Sequence, residues 1–322
     1  MIDKKIIEEW KEKTSSSHFF KFPKDNLEDA FGCELTFGTG GLRGIMGLGT
    51  NRLNEFVISR ITHAVIKDIK TRNLKPKIMI GYDTRMNSKE FAKLIASIVY
   101  QCGGIAYFSK NPCPTPVTSF GIRYFKCDAG IMLTASHNAK EYNGYKVYNS
   151  RGCQITEKEV SNIYKQLKKC SYFEPKIVMN FSEGVKTKKI KIVSDKLYEP
   201  YFKSTLKTSI DSSKKILKIL YSPLCGTGFK FVPKALNLDG FCNVSLVKEQ
   251  CVFDGKFESC PYPNPEFIPS LEIGTNLMLK NKCDLLISTD PDSDRCGVVV
   301  NHKGEAKNLT GNEVGILIIN FL

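Results

Sequence analysis

Gly130 to Lys146 reads GIMLTASHNAKEYNGYK and changes character half-way. Ile131 to Leu133 is the apolar run of a buried strand. The chain then turns polar at Thr134, Ser136, His137 and Asn138. Asn143-Gly144 is a pair that favours a tight turn, and Lys146 lies ten positions after Ser136. A strand running into a hydroxyl, an imidazole, an amide and an ammonium places a site at its carboxyl end. Open α/β sheets carry their chemistry there. The plainer alternative is a buried strand followed by a polar turn.

The flanking segments repeat the strand–helix rhythm. Lys77 to Tyr82 reads as a strand that delivers Asp83 and Arg85 to a loop. Asn87 and Glu90 are spaced as a variant capping box. The helix they would start carries Phe91, Leu94, Ile95, Ile98 and Val99 on one face and stops at Gly103-Gly104. Ile105 to Phe108 is the next strand. The rigid loop Pro112-Cys113-Pro114-Thr115-Pro116 and a short helix to Phe125 follow it. Further upstream, Asn54 to Lys70 is helical by period. Before it, FGTGGLRGIMGLG, Phe37 to Gly49, surrounds Arg43 with six glycines. Glycines let backbone amides approach an anion, and Arg43 can bind it by charge-assisted hydrogen bonds. A flexible surface loop is the alternative. The spacing fits neither a dinucleotide fingerprint nor a P-loop.

Downstream, Thr156 to Lys169 is a helix, and Asp211-Ser212-Ser213 reads as a linker. A second α/β unit opens with the strand Ile216 to Tyr221. It continues through Gly226-Thr227-Gly228, a helix to about Leu238, a strand at Val244 to Val247 and a helix near Pro269 to Asn281. Asp284 to Ser288 is a buried strand ending in Thr289-Asp290-Pro291-Asp292-Ser293-Asp294-Arg295. Three carboxylates at alternate positions of a tight loop suit one hard cation. Arg295 can offset charge or hold a phosphate. Chance clustering of acids at a strand end is the alternative; an EF-hand is disfavoured because Arg295 stands where its glycine belongs and Asn301 where its bidentate Glu belongs. As acids of a surface loop they repel one another, so Asp292→Asn is expected to weaken a bound cation without unfolding the protein. After the strand Gly297 to Val300, Thr310 and Glu313 are spaced as a capping box for the apolar helix Val314 to Ile319. So apolar a helix calls for a partner surface. The expected fold class is α/β, with consecutive α/β domains built on mixed sheets at residues 1–211 and 212–303, and a further unit opening at 304–322.

The 322 residues carry 42% hydrophobic and 25% charged side chains, the balance of a soluble globular protein of two domains or more. No apolar run reaches membrane-spanning length. The amphipathic start MIDKKIIEEWKEK is no secretory signal, so a cytoplasmic location is expected. Twelve cysteines lack any CxxC pair and only four histidines are present, which reads as reduced thiols without a zinc site. The net charge of +14 is densest at Lys186-Thr187-Lys188-Lys189-Ile190-Lys191. No aromatic interleaving accompanies that run, so it reads as a solvated face, not a nucleic-acid grip. A basic balance also attracts anionic phosphate substrates.

With TASHN and DPDSDR both placed, the chain resembles the α-D-phosphohexomutase family, closest to its phosphoglucomutase/phosphopentomutase branch. GTGGLRG, the PTP loop, TASHN with NGYK, Gly226-Thr227-Gly228, KEQ…DG…PNPE, and LTGNE after DPDSDR stand in order. The resemblance implies phosphohexomutase domains 1 and 2 with the start of domain 3. It implies an isomerase, an intramolecular phosphotransferase that interconverts sugar 1-phosphates and 6- or 5-phosphates through a phosphoserine and a bisphosphate. Ser136 would carry the phosphoryl group. Asp290, Asp292 and Asp294, with a phosphate oxygen on Ser136, would hold Mg²⁺. Lys146 and Arg43 match the general acid/base pair, with His137 beside the phosphoserine among the catalytic residues. Arg43, Asn138 and Arg295 would bind phosphate. A sugar bisphosphate such as glucose 1,6-bisphosphate would be the activator and a phosphorylated sugar the partner, with neither nucleic acid nor membrane. Cys225 departs from the histidine common in this branch. Lys146 can act as a base only where positive neighbours and burial lower its pKa.

The family has four domains, so this sequence is expected to be part of one member or a truncated relative with little turnover alone. A haloacid-dehalogenase-like phosphatase with Asp290 as nucleophile is the competing enzyme. It leaves TASHN unexplained, and Asp294 stands where that family usually has Thr or Val. A non-catalytic sugar-phosphate binder is the competing non-enzyme. A serine hydrolase is disfavoured, since Ser136 and His137 are adjacent and no GxSxG elbow is present.

Overall fold

The structure, a computed structural model, describes residues 4–38, 40–72, 75–210 and 215–322. The expected linker at Asp211-Ser212-Ser213 lies outside the described residues, as does Thr39. Strands β1 (Leu42–Ile45), β2 (Lys77–Tyr82), β3 (Ile105–Ser109), β4 (Ala129–Leu133), β5 (Tyr142–Asn149) and β6 (Ile190–Val193) form a six-stranded sheet. Its order is β1-β5-β4-β2-β3-β6. β4, β2, β3 and β6 run parallel, and β5 is antiparallel to both β4 and β1.

Alternation along the central strands assigns the two faces. Ile78, Ile80, Ile131 and Leu133 enter one core with the helices Glu55–Lys70 and Ser88–Gln101. Met79 and Met132, the residues between them, enter a second core with the helices Thr115–Tyr124 and Tyr198–Leu206. Helices cover both faces, so β4 is buried along its whole length and its sequence is uniformly apolar.

Two local expectations fail for tertiary reasons. Asn143-Gly144 is not a turn but the second and third residues of β5, paired with Gly44 and Arg43. Gly144 is needed because a Cβ there would lie 2.3 Å from the Thr134 carbonyl oxygen. The Asn143 amide is spent on Met86 O at 3.0 Å and Ser88 Oγ at 2.9 Å. Asn87 and Glu90 form no capping box. Asn87 is left-handed with no side-chain cap, and Glu90 pairs with Lys93 at 2.8 Å. Asp83, just after β2, ties to the helix start instead by accepting from the Ser88 Oγ at 2.9 Å. The expected box at Thr310–Glu313 does form, and Thr156–Glu159 makes another.

Strands β7 (Ile219–Ser222), β8 (Val244–Leu246), β9 (Leu285–Thr289), β10 (Cys296–His302) and β11 (Glu305–Leu309) form a five-stranded sheet in the order β11-β10-β9-β7-β8. β7 begins three residues later than expected, since Ile216 and Leu217 stay exposed. β11 pairs with β10, so this sheet runs past the expected boundary at 303. β10-β9-β7-β8 repeats the topology of β5-β4-β2-β3: one antiparallel strand, then three parallel ones. In each sheet two adjacent parallel strands, β4 and β2 or β9 and β7, send their chains off in opposite directions. These are topological switch points, where a crevice opens at the carboxyl ends.

The run from Lys186 to Lys191 links the helix Phe181–Lys186 to β6, with its lysines in solvent. The helix Gly311–Phe321 leaves Ile316 to Ile319 exposed. Among the described residues no helix is long and apolar enough to cross a membrane.

The first helix, Lys4–Lys13, is tied down by one residue. Trp10 is buried and meets Phe31, Phe56, Tyr172 and Phe173 edge-on at 5.1–5.8 Å between ring centroids. Trp10→Ala is expected to cost about 3–5 kcal/mol, the range for emptying a buried aromatic site. Urea unfolding followed by circular dichroism measures it; a loss under about 1 kcal/mol would show the helix undocked.

Candidate active site

Ser136 follows β4 by three residues, in the turn between β4 and β5. Its φ is 55°, the left-handed region, which costs a residue with a side chain on the order of 1–3 kcal/mol. Hydrogen bonds hold it there. Its N–H donates to Thr134 Oγ1 at 2.8 Å, and its carbonyl accepts from Arg85 Nη2 at 2.7 Å. Its Oγ donates to Asp290 Oδ2 at 2.6 Å, across from the first sheet to the second. His137 Nδ1 stands 3.4 Å from the same Oγ.

The acids come from the loop after β9. Carboxylate oxygens of Asp290, Asp292 and Asp294 all lie within 4.8 Å of one another. Asp290 and Asp292 are fully buried, not surface acids as expected. The N–H groups of Asp294 and Arg295 donate to Asp290 Oδ1, both at 3.2 Å. The loop is clamped from both sheets. Thr115 of the PTP loop donates its Oγ1 to Asp292 Oδ2 at 2.6 Å and its N–H to Asp292 O at 2.8 Å. Thr227 of the Gly-Thr-Gly loop donates its Oγ1 to Pro291 O at 2.9 Å. Gly226 permits that contact, since a Cβ there would lie 2.4 Å from the Pro291 Cα. Asp292 Oδ1 is buried with no hydrogen-bond partner. An all-oxygen donor set with an unspent buried oxygen fits a hard divalent cation such as Mg²⁺.

Lys146 projects from β5 into the same acids. Its Nζ donates to Asp292 Oδ2 at 2.7 Å and to Asp294 Oδ2 at 2.8 Å. Burial alone would lower its pKa; Asp292 first, then Tyr148 and Asp294, outweigh burial and raise it. The condition set for Lys146 as a base, positive neighbours, is therefore not met here: its neighbours are carboxylates. Burial, then Asp292 and Asp294, push Asp290 well above the ordinary carboxylate range. For Asp292 burial acts the same way, but Lys146 and Thr115 prevail and hold its pKa low. Burial, then the cations Arg295, Arg43 and Arg85, keep His137 below the usual imidazole value.

Arg43 lies on β1, not in a loop, and its Nη1 reaches Asn138 Oδ1 at 3.2 Å. Arg295 is exposed beside the acids and acts on His137 through its charge. The structure thus gathers Ser136, His137, Asn138, Arg43, Lys146, Asp290, Asp292, Asp294 and Arg295 around the facing switch points. Sequence reasoning gave no role to Thr115, Thr134 or Arg85. Thr115 meets a carboxylate 177 positions away, Arg85 the carbonyls of a loop more than fifty positions on, and Thr134 a main-chain N–H two residues on. Cys225 is buried beside Ser259, 3.2 Å from Sγ to Oγ, away from this cluster.

Profiles described as phosphoglucomutase/phosphomannomutase, alpha/beta/alpha domains I and II, match residues 34–173 and 198–304. The chain belongs to this family. Curated relatives include the phosphoglucomutase of Staphylococcus haemolyticus JCSC1435, 35% identical over 297 residues, 92% of this chain and 54% of the relative. The phosphoglucomutase of Staphylococcus aureus MRSA252 is 34% identical over 306 residues, 94% of this chain and 55% of the relative. The chain thus spans about half the length of the curated relatives it matches. Solved structures of the same fold include a Thermus thermophilus protein provisionally named a phosphomannomutase. Its TM-score is 0.70 at 24% identity, over 85% of this chain and 58% of that one. A phosphoglucomutase/phosphomannomutase family protein from Burkholderia thailandensis gives 0.64 at 18%, over 83% and 54%.

The two buried acids should respond oppositely to neutralisation. Asp290's folded pKa exceeds its ordinary value of 3.8. Above that value the unfolded chain releases a proton that the folded chain retains, so Asp290 costs stability increasingly as pH climbs toward the folded pKa. Asp290→Asn is therefore expected to raise the metal-free Tm at pH 7.5, with the gain shrinking toward pH 4. Asp292's pKa is lowered, so its charge stabilises above the ordinary value. Asp292→Asn is expected to cost about 1–3 kcal/mol at pH 7.5 and to weaken Mg²⁺ binding. Thermal melts in EDTA across pH 4–8 separate the two; a lower Tm for Asp290→Asn at pH 7.5 would contradict the assigned protonation.

Proposed function

We propose that this chain carries the phosphoryl-transfer centre of a sugar-phosphate mutase of the phosphoglucomutase type, with Ser136 as its phosphoserine. The supporting observation is Ser136 Oγ, buried and 2.6 Å from the first acid of a cluster of three. A serine hydroxyl is a weak nucleophile near neutral pH; as a stored phosphate ester it is well employed. Mg²⁺, held by Asp290, Asp292 and Asp294, would neutralise charge on the phosphoryl group as it moves.

The chain's own residues divide the remaining work. Lys146, held charged by its carboxylate partners, is the acid that can give a proton to a leaving oxygen. Arg43, with Asn138 hydrogen-bonded to it, presents a guanidinium for phosphate oxygens, and Arg295 a second. His137, kept neutral by its cationic surroundings, can accept or donate a hydrogen bond beside Ser136 without adding charge. The cycle is a transfer from phosphoserine to a sugar monophosphate, reorientation of the bisphosphate, and return of its other phosphate to Ser136. The substrate is a phosphorylated sugar, glucose 1-phosphate first among those to test. The inferred setting is the cytoplasm, where such substrates are found.

The 322-residue chain, incubated with Mg²⁺ and glucose 1,6-bisphosphate, is expected to gain one phosphate on Ser136 by peptide mass spectrometry. Ser136→Ala, which keeps the fold and deletes the acceptor oxygen, is expected to lose that labelling by at least about 100-fold. A coupled assay for glucose 6-phosphate then reads isomerisation. Folded protein with no phosphate on Ser136 would sink the proposal, and phosphate on Asp290 instead would move the chemistry to a phosphatase.

A further inference from the structure

Arg85 is 3% exposed and stands outside the sequence motifs quoted above. Its Nη1 donates to the carbonyls of Ala139 at 2.8 Å and Tyr142 at 3.0 Å. Its Nη2 donates to those of Ser136 at 2.7 Å and Asn138. Four carbonyls of the loop 136–142 therefore converge on one cation. The main-chain hydrogen bonds of Asn138 to Ala135 O and Tyr142 to Ala139 O are local and leave the arc of the loop to something else. These peptide bonds are trans. A carbonyl turned toward Arg85 thus turns the following N–H, that of His137, Ala139 or Lys140, away from it. The guanidinium decides which side of the loop is all acceptor.

The guanidinium is itself held. Asp83 Oδ2 lies 3.4 Å from Nε, with both side chains fully buried. Asp83 Oδ1 accepts from the Arg85 N–H and from Ser88 Oγ, both at 2.9 Å, which anchors the pair to the first turn of the helix Ser88–Gln101. From the second α/β unit the ring of Phe257, fully buried, stands 5.1 Å from the guanidinium carbon. Gly255 allows this approach, since a Cβ there would lie 2.7 Å from Met86 N. The planar fork gives its four Nη donors to the four carbonyls, while Nε faces Asp83 Oδ2 as an ion pair without a hydrogen bond; a lysine ammonium has three donors and no plane.

We propose that Arg85 is the positioning residue of the site. It gathers the loop carbonyls, which fixes Ser136 in its left-handed turn with Oγ on Asp290. Through Phe257 that setting depends on the second unit being seated. Its kinetic consequence rests on the phosphoserine reading of Ser136; its structural consequence does not.

The test is Arg85→Lys in the 322-residue chain, which keeps the charge and loses the fork. Hydrogen exchange of amides 134–142, read by peptide mass spectrometry, is expected to quicken by at least about tenfold, the factor for one lost charge-assisted hydrogen bond. Exchange in the helix Glu55–Lys70 and in the second sheet should stay as in the wild type. Phosphate uptake on Ser136 from glucose 1,6-bisphosphate is expected to fall about 100-fold in maximal rate, the effect of an ångström of misplacement, at unchanged half-saturating concentration. Wild-type loop exchange in folded Arg85→Lys overturns the proposal, and so does faster exchange with an unchanged maximal rate. If the wild type itself takes no phosphate, the phosphoserine reading has failed and the exchange arm alone decides Arg85. Should Arg85→Lys not fold, Phe257→Leu keeps an apolar filling and removes the ring face. Loop exchange is then expected to quicken about threefold, and unchanged exchange overturns the proposal.

Discussion

The Lys146 ammonium is 1% exposed on one sheet, and both of its counter-charges belong to the other. A buried ammonium without a partner is strongly unfavourable, and among the described residues both carboxylates paired with this one come from the second sheet's loop. The second unit has the converse problem, three carboxylates on one short loop with two of them buried. Neither half is electrostatically complete alone. The attraction between them scarcely exceeds the cost of removing both from water, but losing one partner is expensive. What the pair supplies is therefore placement more than stability. Lys146 on Asp292 and Asp294, Ser136 on Asp290 and Thr115 on Asp292 set the angle at which two switch points face each other.

Charge balance explains the protonation pattern. The acids meet the ammonium at Asp292 and Asp294. Asp290 is left to a neutral hydroxyl and two backbone N–H groups, and burial with its acidic neighbours drives its pKa up. Burial first, and then the cations Arg295, Arg43 and Arg85 around the site, lower the pKa of His137. The basic excess of the chain is here arranged around negative charge at the centre. An anionic ligand would meet the arginines first and the carboxylates only through a cation that masks them.

Legibility in the sequence followed the range of the causes. β4 and the loop after β9 were visible because an apolar run turned polar within a few residues, a signal wholly local. The helices Glu55–Lys70 and Ser88–Gln101 were visible from their period. β5 was missed because Asn143-Gly144 is a turn pair by local preference. What selects Gly144 is the Thr134 carbonyl crossing over it, and Asn143 serves a helix start that precedes it by more than fifty residues. Asn87 looked like a cap until Asp83 came within reach of Ser88. The environment of Lys146 was invisible for the same reason, its partners lying 146 and 148 positions away. The shared topology of the two sheets was hidden because it resides in strand order, which no residue pattern records. The assignment of roles came from the motifs as a set.

Apolar packing and hydrogen bonds both link the two sheets, and they do different work. Phe231 enters the second core of the first sheet and packs on Tyr198, Tyr201 and Phe202 at 4.7–6.3 Å between ring centroids. Such contact is non-directional and tolerates sliding. The hydrogen bonds at the switch points are directional and weaken within a few tenths of an ångström of stretch or a modest loss of angle. The apolar contact can therefore keep the units together through a range of angles, and only one of these satisfies Ser136, Lys146 and Thr115 together. Separation at the site would strand a buried ammonium and a buried carboxylate. Seating the units and assembling the cluster of Ser136, Lys146 and the three acids are, on this arrangement, one event.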